Sequence, residues 1–368
     1  MEIDRRAVLL AGLGLLIPGA DLRTPAAQAN VRGVLYAATR RDRNGRYSAA
    51  IMDATGSDLN AVALPARGHD AVFCPVTRRC VVFARRPGNF AIAFSSRRET
   101  PPVAFTTPPD RHFYGHGVFS RDGKLLFATE NDFEAGGGMI GIYDAEGAFR
   151  RIGEFASHGI GPHDMALMQG GGVLVVANGG LKEHPDIGGG RRVLNPEAVE
   201  TSLVYIDVAS GQLLERHDLP AASRLSLRHL DVDEKGTVVI GAQAQGRAGT
   251  SASMVFRHRR QSDVQSLQLS ETDNRELRGY VSSVAMTRNG QHAAITSSKG
   301  GVALIVEVTS GRVIDTYRRP DISGVAQAPL QRDGFVFTTG GGDFVTRTST
   351  ESSVHPHGAE WDNHLAAG

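Results

Sequence analysis

Apolar residues in this chain come mostly in short runs of three to five, rich in β-branched and aromatic side chains and closed by Gly, Asp or Asn. Examples are Val34 to Ala38, Val81 to Ala84, Leu125 to Thr129, Val173 to Ala177, Val238 to Ile240, Ala293 to Thr296 and Phe335 to Thr339. Short runs bounded by turn residues predict strands. The wider spacing that marks long amphipathic helices is missing. The pattern predicts an all-β protein, leaving a sandwich, a barrel or a propeller.

Self-similarity chooses among these. Gly115 to Asn131 aligns without a gap on Pro162 to Asn178, each reading strand, turn, strand, Asn. His69 lies 47 residues before His116, which lies 47 before His163. The same start returns at Arg228-His229, at Ser282-Ser283 and at Ser323-Gly324. Three N-terminal strands, near Val34, Ser48 to Met52 and Ala61 to Leu64, lack an innermost partner, and Trp361 to Ala367 can supply it. The expected fold is a seven-bladed β-propeller closed by pairing the N-terminal strands with the C-terminal strand. Register positions 69, 116, 163, 229, 282, 323 and 364 are spaced by 47, 47, 66, 53, 41 and 41 residues. Four-stranded blades take about 40–50 residues, so the long intervals require insertions. Gly179 to Glu200, rich in Gly and containing Pro, is the first.

Charge adds an exclusion. With 40 Lys and Arg against 39 Asp and Glu, the chain has no basic excess for nucleic acid and no polybasic membrane patch. Arg5-Arg6 precedes an apolar run from Ala7 to Ala20, and Ala27-Gln28-Ala29 has the small-x-small form of a cleavage site. Residues 1–29 therefore read as an export signal cleaved near Ala29/Asn30, with residues 30–368 as one periplasmic domain. The arginine pair points to the twin-arginine route, with the general secretory route as the alternative. The apolar run falls short of the ~20 residues of a membrane span, so no transmembrane segment is expected after signal removal. Cys74 and Cys80 flank a short hairpin loop, where a local disulfide is plausible and a structural role is favoured over a catalytic one.

In a propeller, equivalent positions of the innermost strands encircle the channel. The register puts His69, His116, His163, His229 and His364 in that circle, with Ser282 and Ser323 at the other two positions. Five imidazoles in one funnel make a nitrogen-rich site for a transition metal ion, iron or copper before zinc. Asp70, Asp164 and Asp231 are expected just inside the funnel, where a carboxylate can accept the second ring N–H of a ligand. Glu130, Asn131, Asn178 and Gln243 are expected at its rim. His112, four residues before His116, is a further rim candidate, and with His158, His355 and His357 it is expected to be solvated or to stand behind the ligands; Tyr114 and Tyr280 are expected as wedges between blades. A Gly-x-Ser-x-Gly nucleophile elbow is absent.

Several segments resemble the bacterial family catalogued as domain of unknown function 1513, relatives of the YVTN-type propellers. They are Gly68-His69-Asp70, Phe83 to Gly88, His112 to Ser120, Ala128 to Asp132, Gly159 to His163, Val176 to Gly180, Ser226 to His229, Arg278 to Tyr280 and Trp361 to Leu365. The resemblance implies a periplasmic protein associated with imelysin-like iron-uptake proteins and di-haem peroxidase-like proteins. It implies no particular reaction. The expected function is periplasmic metal binding in iron or copper acquisition or redox handling. The alternatives are a non-catalytic scaffold for such partners and a metal-dependent oxidoreductase or lactonase-like hydrolase.

Overall fold

The computed structural model describes residues 33–190, 192–220, 224–246, 253–328, 334–348 and 352–368. The expected export signal, with its arginine pair, lies outside them. From Val34 onward the chain forms seven antiparallel sheets, six of four strands and one of five. Blade 1 holds Tyr36–Arg41, Tyr47–Met52 and Asp58–Leu64 with the C-terminal pieces Glu360–Trp361 and Ala366–Ala367. The innermost strands of blades 2 to 7 are Gly68–Phe73, Arg111–Phe119, Pro162–Leu167, Leu225–Val232, Ser283–Met286 and Ile322–Gln327. Each touches the next, and Ala366–Ala367 touches both the blade 7 and blade 2 strands, so the circle is complete. The fold is a seven-bladed β-propeller, as the repeat predicts.

The apolar runs form the middle strands because blades pack face against face, which buries both sides of a central strand. Cys80–Ala84 and Phe335–Thr339 are buried at every position. Outermost strands have one solvated face and alternate: Arg150–Ala156 carries exposed Arg150, Ile152, Glu154 and Ala156. The apolar clusters are the seams between blades. Ile51, Val82 and Phe94 fill the seam between blades 1 and 2; Phe83, Phe105, Phe113 and Tyr143 fill the next; Tyr36, Phe344 and Trp361 fill the seam where blade 7 meets blade 1.

Both long intervals contain extra chain. Residues 179–201 run between the second and third strands of blade 4, and a short helix, Glu271–Glu276, capped by Ser270, lies between blades 5 and 6.

No disulfide joins Cys74 and Cys80. Cys74 and Cys80 close the predicted hairpin, with Cys74 N–H donating to Arg79 O at 2.8 Å, but both are buried free thiols. They face opposite seams of blade 2: Cys74 packs with Phe119 toward blade 3, and Cys80 with Ile51 toward blade 1. Thiol titration of the denatured, unreduced protein should find two free thiols, and finding none would contradict the opposed orientation. Phe83→Ala, at a fully buried seam position, should cost about 3–5 kcal/mol of unfolding free energy in denaturant.

Candidate metal centre

Inner strands begin at the mouth where the histidines lie, and the local backbone there is irregular. The pairing register shifts between Gly68 and Ala71, Phe113 and Gly117, Pro162 and Asp164, and Leu227 and Leu230. Each shift brackets a register histidine. A bulge re-aims the side chains it carries, and here it turns an imidazole into the channel at the start of four successive blades. In blade 1 the innermost strand breaks between Trp361 and Ala366, and His364 comes from the gap. Gly115 serves the same geometry. Its φ is +109°, and a Cβ there would stand 2.4 Å from the His69 ring.

All five imidazoles come together, each 6% exposed or less. His116 is adjacent to all the others, with centroid distances of 4.9 Å to His69, 5.0 Å to His163, 5.3 Å to His229 and 4.9 Å to His364. Those four form a loop around it: His69 to His364 is 4.5 Å, His364 to His229 4.5 Å, His229 to His163 4.7 Å and His163 to His69 6.0 Å.

Their hydrogen bonds divide them. A guanidinium only donates, so an imidazole nitrogen facing it must offer its lone pair and the neutral ring carries its proton on the other nitrogen. Arg85 Nη1 lies 3.2 Å from His69 Nδ1, and Arg228 Nη1 lies 3.0 Å from His163 Nδ1. Both rings thus hold their proton at Nε2. His116 has the opposite arrangement: its Nδ1–H donates to Asp70 Oδ2 at 2.9 Å, with Asp164 Oδ1 at 3.4 Å. His116 Nε2, His229 Nδ1 and His364 Nε2 are buried without a hydrogen-bond partner. The potential ligand atoms of these three residues lie within 4.8 Å of one another, as do those of His69, His116 and His163. Imidazole nitrogens about 2.0–2.1 Å from one tetrahedral ion stand about 3.4 Å apart, so the nitrogens of either group would have to draw closer to share an ion.

Burial first, then neighbouring positive groups, push His69, His163 and His229 well below the usual imidazole range. Burial takes His364 down to about 3. His116 differs: burial opposes its charge, but Asp164 and Asp70 outweigh burial and raise its pKa. Burial also lifts Asp164 and Asp231 to about 6. Both carboxylates stitch neighbouring blades, Asp164 Oδ2 accepting from Leu230 N at 3.1 Å and Asp231 Oδ2 from Met286 N at 2.7 Å.

The expected rim is only partly a rim. Glu130 points into blade 3, where it accepts from Tyr143 Oη at 2.6 Å and pairs with Arg151 at 2.8 Å. Asn178 Nδ2 donates to Ser157 O, in the connection from blade 3, and to Ser202 Oγ on the neighbouring strand of its own blade. Asn131 Nδ2 holds the blade 4 insertion through Glu183 O at 3.2 Å, with His112 Nε2 at 3.0 Å. Gln243 lies at the mouth beside Tyr280. Ser282 bonds Ser298, and its neighbour Ser283 meets His364 Nδ1 at 3.3 Å. Ser323 is buried, its carbonyl accepting from Thr296 Oγ1 at 2.5 Å. His158 and His357 make contacts on outer parts of the blades, to Gly211 O and to Arg40.

Tyr114 and Tyr280 are not merely wedges. Both line a cavity beside the imidazoles, together with Arg85, Arg86 and Arg228. The arginines, Asp362 and Glu183 escaped the repeat register because they lie off the equivalent positions. Arg228 directly precedes His229, but only the bulge turns two successive side chains toward one site.

Fold and site together define a propeller with a buried histidine cluster at one channel mouth. The chain belongs to the family described as protein of unknown function (DUF1513), whose profile matches residues 62–368. A search among curated proteins gave no match. Among solved structures, the chain is similar to Kuenenia stuttgartiensis hydrazine synthase, with 14% identity over 92% of this chain and 99% of that one and a TM-score of 0.61. It is also similar to a chain in the crystal structure of a mitotic checkpoint complex, with 11% identity over 78% of each chain and a TM-score of 0.55. These low identities show the fold alone.

Acid should destabilise the metal-free protein. As pH falls below about 6.5, histidines of the unfolded chain take up protons, while His69, His163, His229 and His364 stay neutral when folded. Stability is thus lost from pH 6.5 downward. Asp164 and Asp231 act oppositely between about pH 6 and 4, because the folded state binds their protons first. These imidazoles, joined by His112, which burial takes down to about 4, outnumber the two carboxylates, so unfolding near pH 5 takes up protons on balance and stability falls as pH falls. The melting temperature of chelator-treated protein should fall from pH 7 to pH 5; a constant or rising value contradicts this balance.

Proposed function

We propose that the chain is an exported, periplasmic protein that binds one transition metal ion through His116, His229 and His364, and acts in iron or copper handling. The observation that carries this reading is the coincidence, in three adjacent residues, of a buried ring nitrogen without a partner. A buried imidazole nitrogen that no protein group engages leaves its lone pair available to a metal ion. Asp70, bonded to His116 Nδ1, is the carboxylate that orients a ligand ring and raises its basicity. His69 and His163 are excluded as ligands in this assignment, because the arginines hold their protons at Nε2.

An all-nitrogen set without a carboxylate ligand suits copper or zinc better than iron, which favours mixed imidazole and carboxylate sites. Copper is therefore the first candidate. Imelysin-like and di-haem peroxidase-like proteins are the candidate partners in the same compartment.

Purified protein equilibrated with Cu(II), Zn(II) or Fe(II) and then desalted should retain about one equivalent of its preferred ion, measured by mass spectrometry of the metal. His116→Ala and His229→Ala should each weaken binding by more than about 100-fold, and Asp70→Asn by the 10–100-fold typical of an outer partner. His163→Ala should weaken it less than either ligand change. Absence of stoichiometric metal, or equal binding by His116→Ala, would end the proposal.

A further inference from the structure

The cavity beside the imidazoles is small and polar, about 50 Å³, with Arg85, Arg86, Arg228, Tyr114, His69 and His163 in its wall. At about 10–15 Å³ of such space for each water-sized group, it admits about three to five heavy atoms. Its arginines are unevenly paired. Asp362 is shared by Arg67 and by Arg85, the latter at 3.0 Å. Glu183 Oε2 lies 2.7 Å from Arg86 Nη1, yet neither atom has an aligned hydrogen bond. Arg228 is 3% exposed, its Nε has no partner, and its one hydrogen bond among the described residues is to His163. Arg85 and Arg86 thus each face a carboxylate, whereas Arg228 has no carboxylate within ion-pair distance among the described residues. Asp70, Asp164 and Asp231 bond His116, Leu230 N and Met286 N rather than Arg228.

A hydroxyl repeats the pattern. Tyr114 is 2% exposed and its Oη has no partner. A buried guanidinium without a counter-ion and a buried hydroxyl without an acceptor both carry a desolvation cost that an anion would relieve. Because a guanidinium always donates, and His69 and His163 carry their protons at Nε2, every one of these groups presents a donor.

We propose that this cavity binds a small planar oxyanion of the carboxylate class, held by the Arg228 fork, the Tyr114 hydroxyl and the N–H groups of His69 and His163. Two oxygens on one carbon match the parallel N–H groups of a guanidinium, and the volume leaves no room for a large substituent. The donors are the protein's own, so the site does not depend on a bound metal.

The test uses the full chain, freed of metal and desalted, titrated with formate and with bicarbonate at constant ionic strength in chloride, read by calorimetry. Saturable binding of one equivalent is expected. Arg228→Met should weaken it by more than about 10-fold and Tyr114→Phe by about 3–10-fold, the loss of one charge-assisted and one neutral hydrogen bond. Tyr114→Phe removes a single oxygen, so it reports even if Arg228→Met fails to fold. Citrate distinguishes the source: exclusion of citrate with binding of formate marks a free small ion, whereas competition by citrate marks the carboxylate arm of a larger molecule. Three results would each overturn the proposal: no saturable binding of either probe, unchanged binding in Tyr114→Phe, or sulfate binding as tightly as formate. Loss of metal uptake with intact formate binding would strike only the metal reading.

Discussion

The pairing of the first strand with the last few residues governs everything else in this molecule. Arg40 and Arg41 pair with Trp361 and Glu360, and Tyr36 and Ala37 with Ala367 and Ala366. These contacts span more than 300 residues of sequence, so their loop-closure entropy is compensated only when the six intervening blades are stacked. The closing segment is not a plain strand. Its central break releases Asp362 and His364 toward the axis, and the structure that seals the ring also contributes a histidine and a carboxylate to the site.

A site of this kind stores unfavourable electrostatics that the surrounding seams must support. Burial disfavours the charged form of all five imidazoles, and at His116 alone the flanking Asp164 and Asp70 outweigh burial and raise the pKa. The positive groups lie in the cavity wall, where Arg228 and His163 share a hydrogen bond. The stiffness that holds them comes from seams of Phe, Val and Ile on both faces of each blade, and from Asp164 and Asp231, whose bonds to the next blade fix the angle between neighbouring inner strands.

Recognising the histidine circle from the chain was possible because propeller symmetry converts a sequence period into a position around an axis. Two 47-residue steps define it. The prediction fails where side-chain direction depends on local backbone irregularity. Glu130 has the right register for the rim but its side chain turns into blade 3 to meet Arg151. Ser282 is displaced by one residue, and Ser283 reaches His364 in its place. Cys74 and Cys80 end adjacent strands of a hairpin yet face different blades. In each case a one-residue change of direction, which residue type does not encode, moves the group to the other side of a sheet.

By itself the sequence determined the class of fold, the number of blades, the way the ring closes and the identity of the five histidines that meet, because alternation, turn residues and period are local or repeating properties. Tertiary structure alone decided which ring nitrogens are free, which arginines stand behind His69 and His163, and that Tyr114 and Arg228 keep unused donors at a shared cavity. Those features arise from bulges and from contacts between blades distant in the chain. Their energetics depend on burial, which no stretch of residues possesses until the ring has closed.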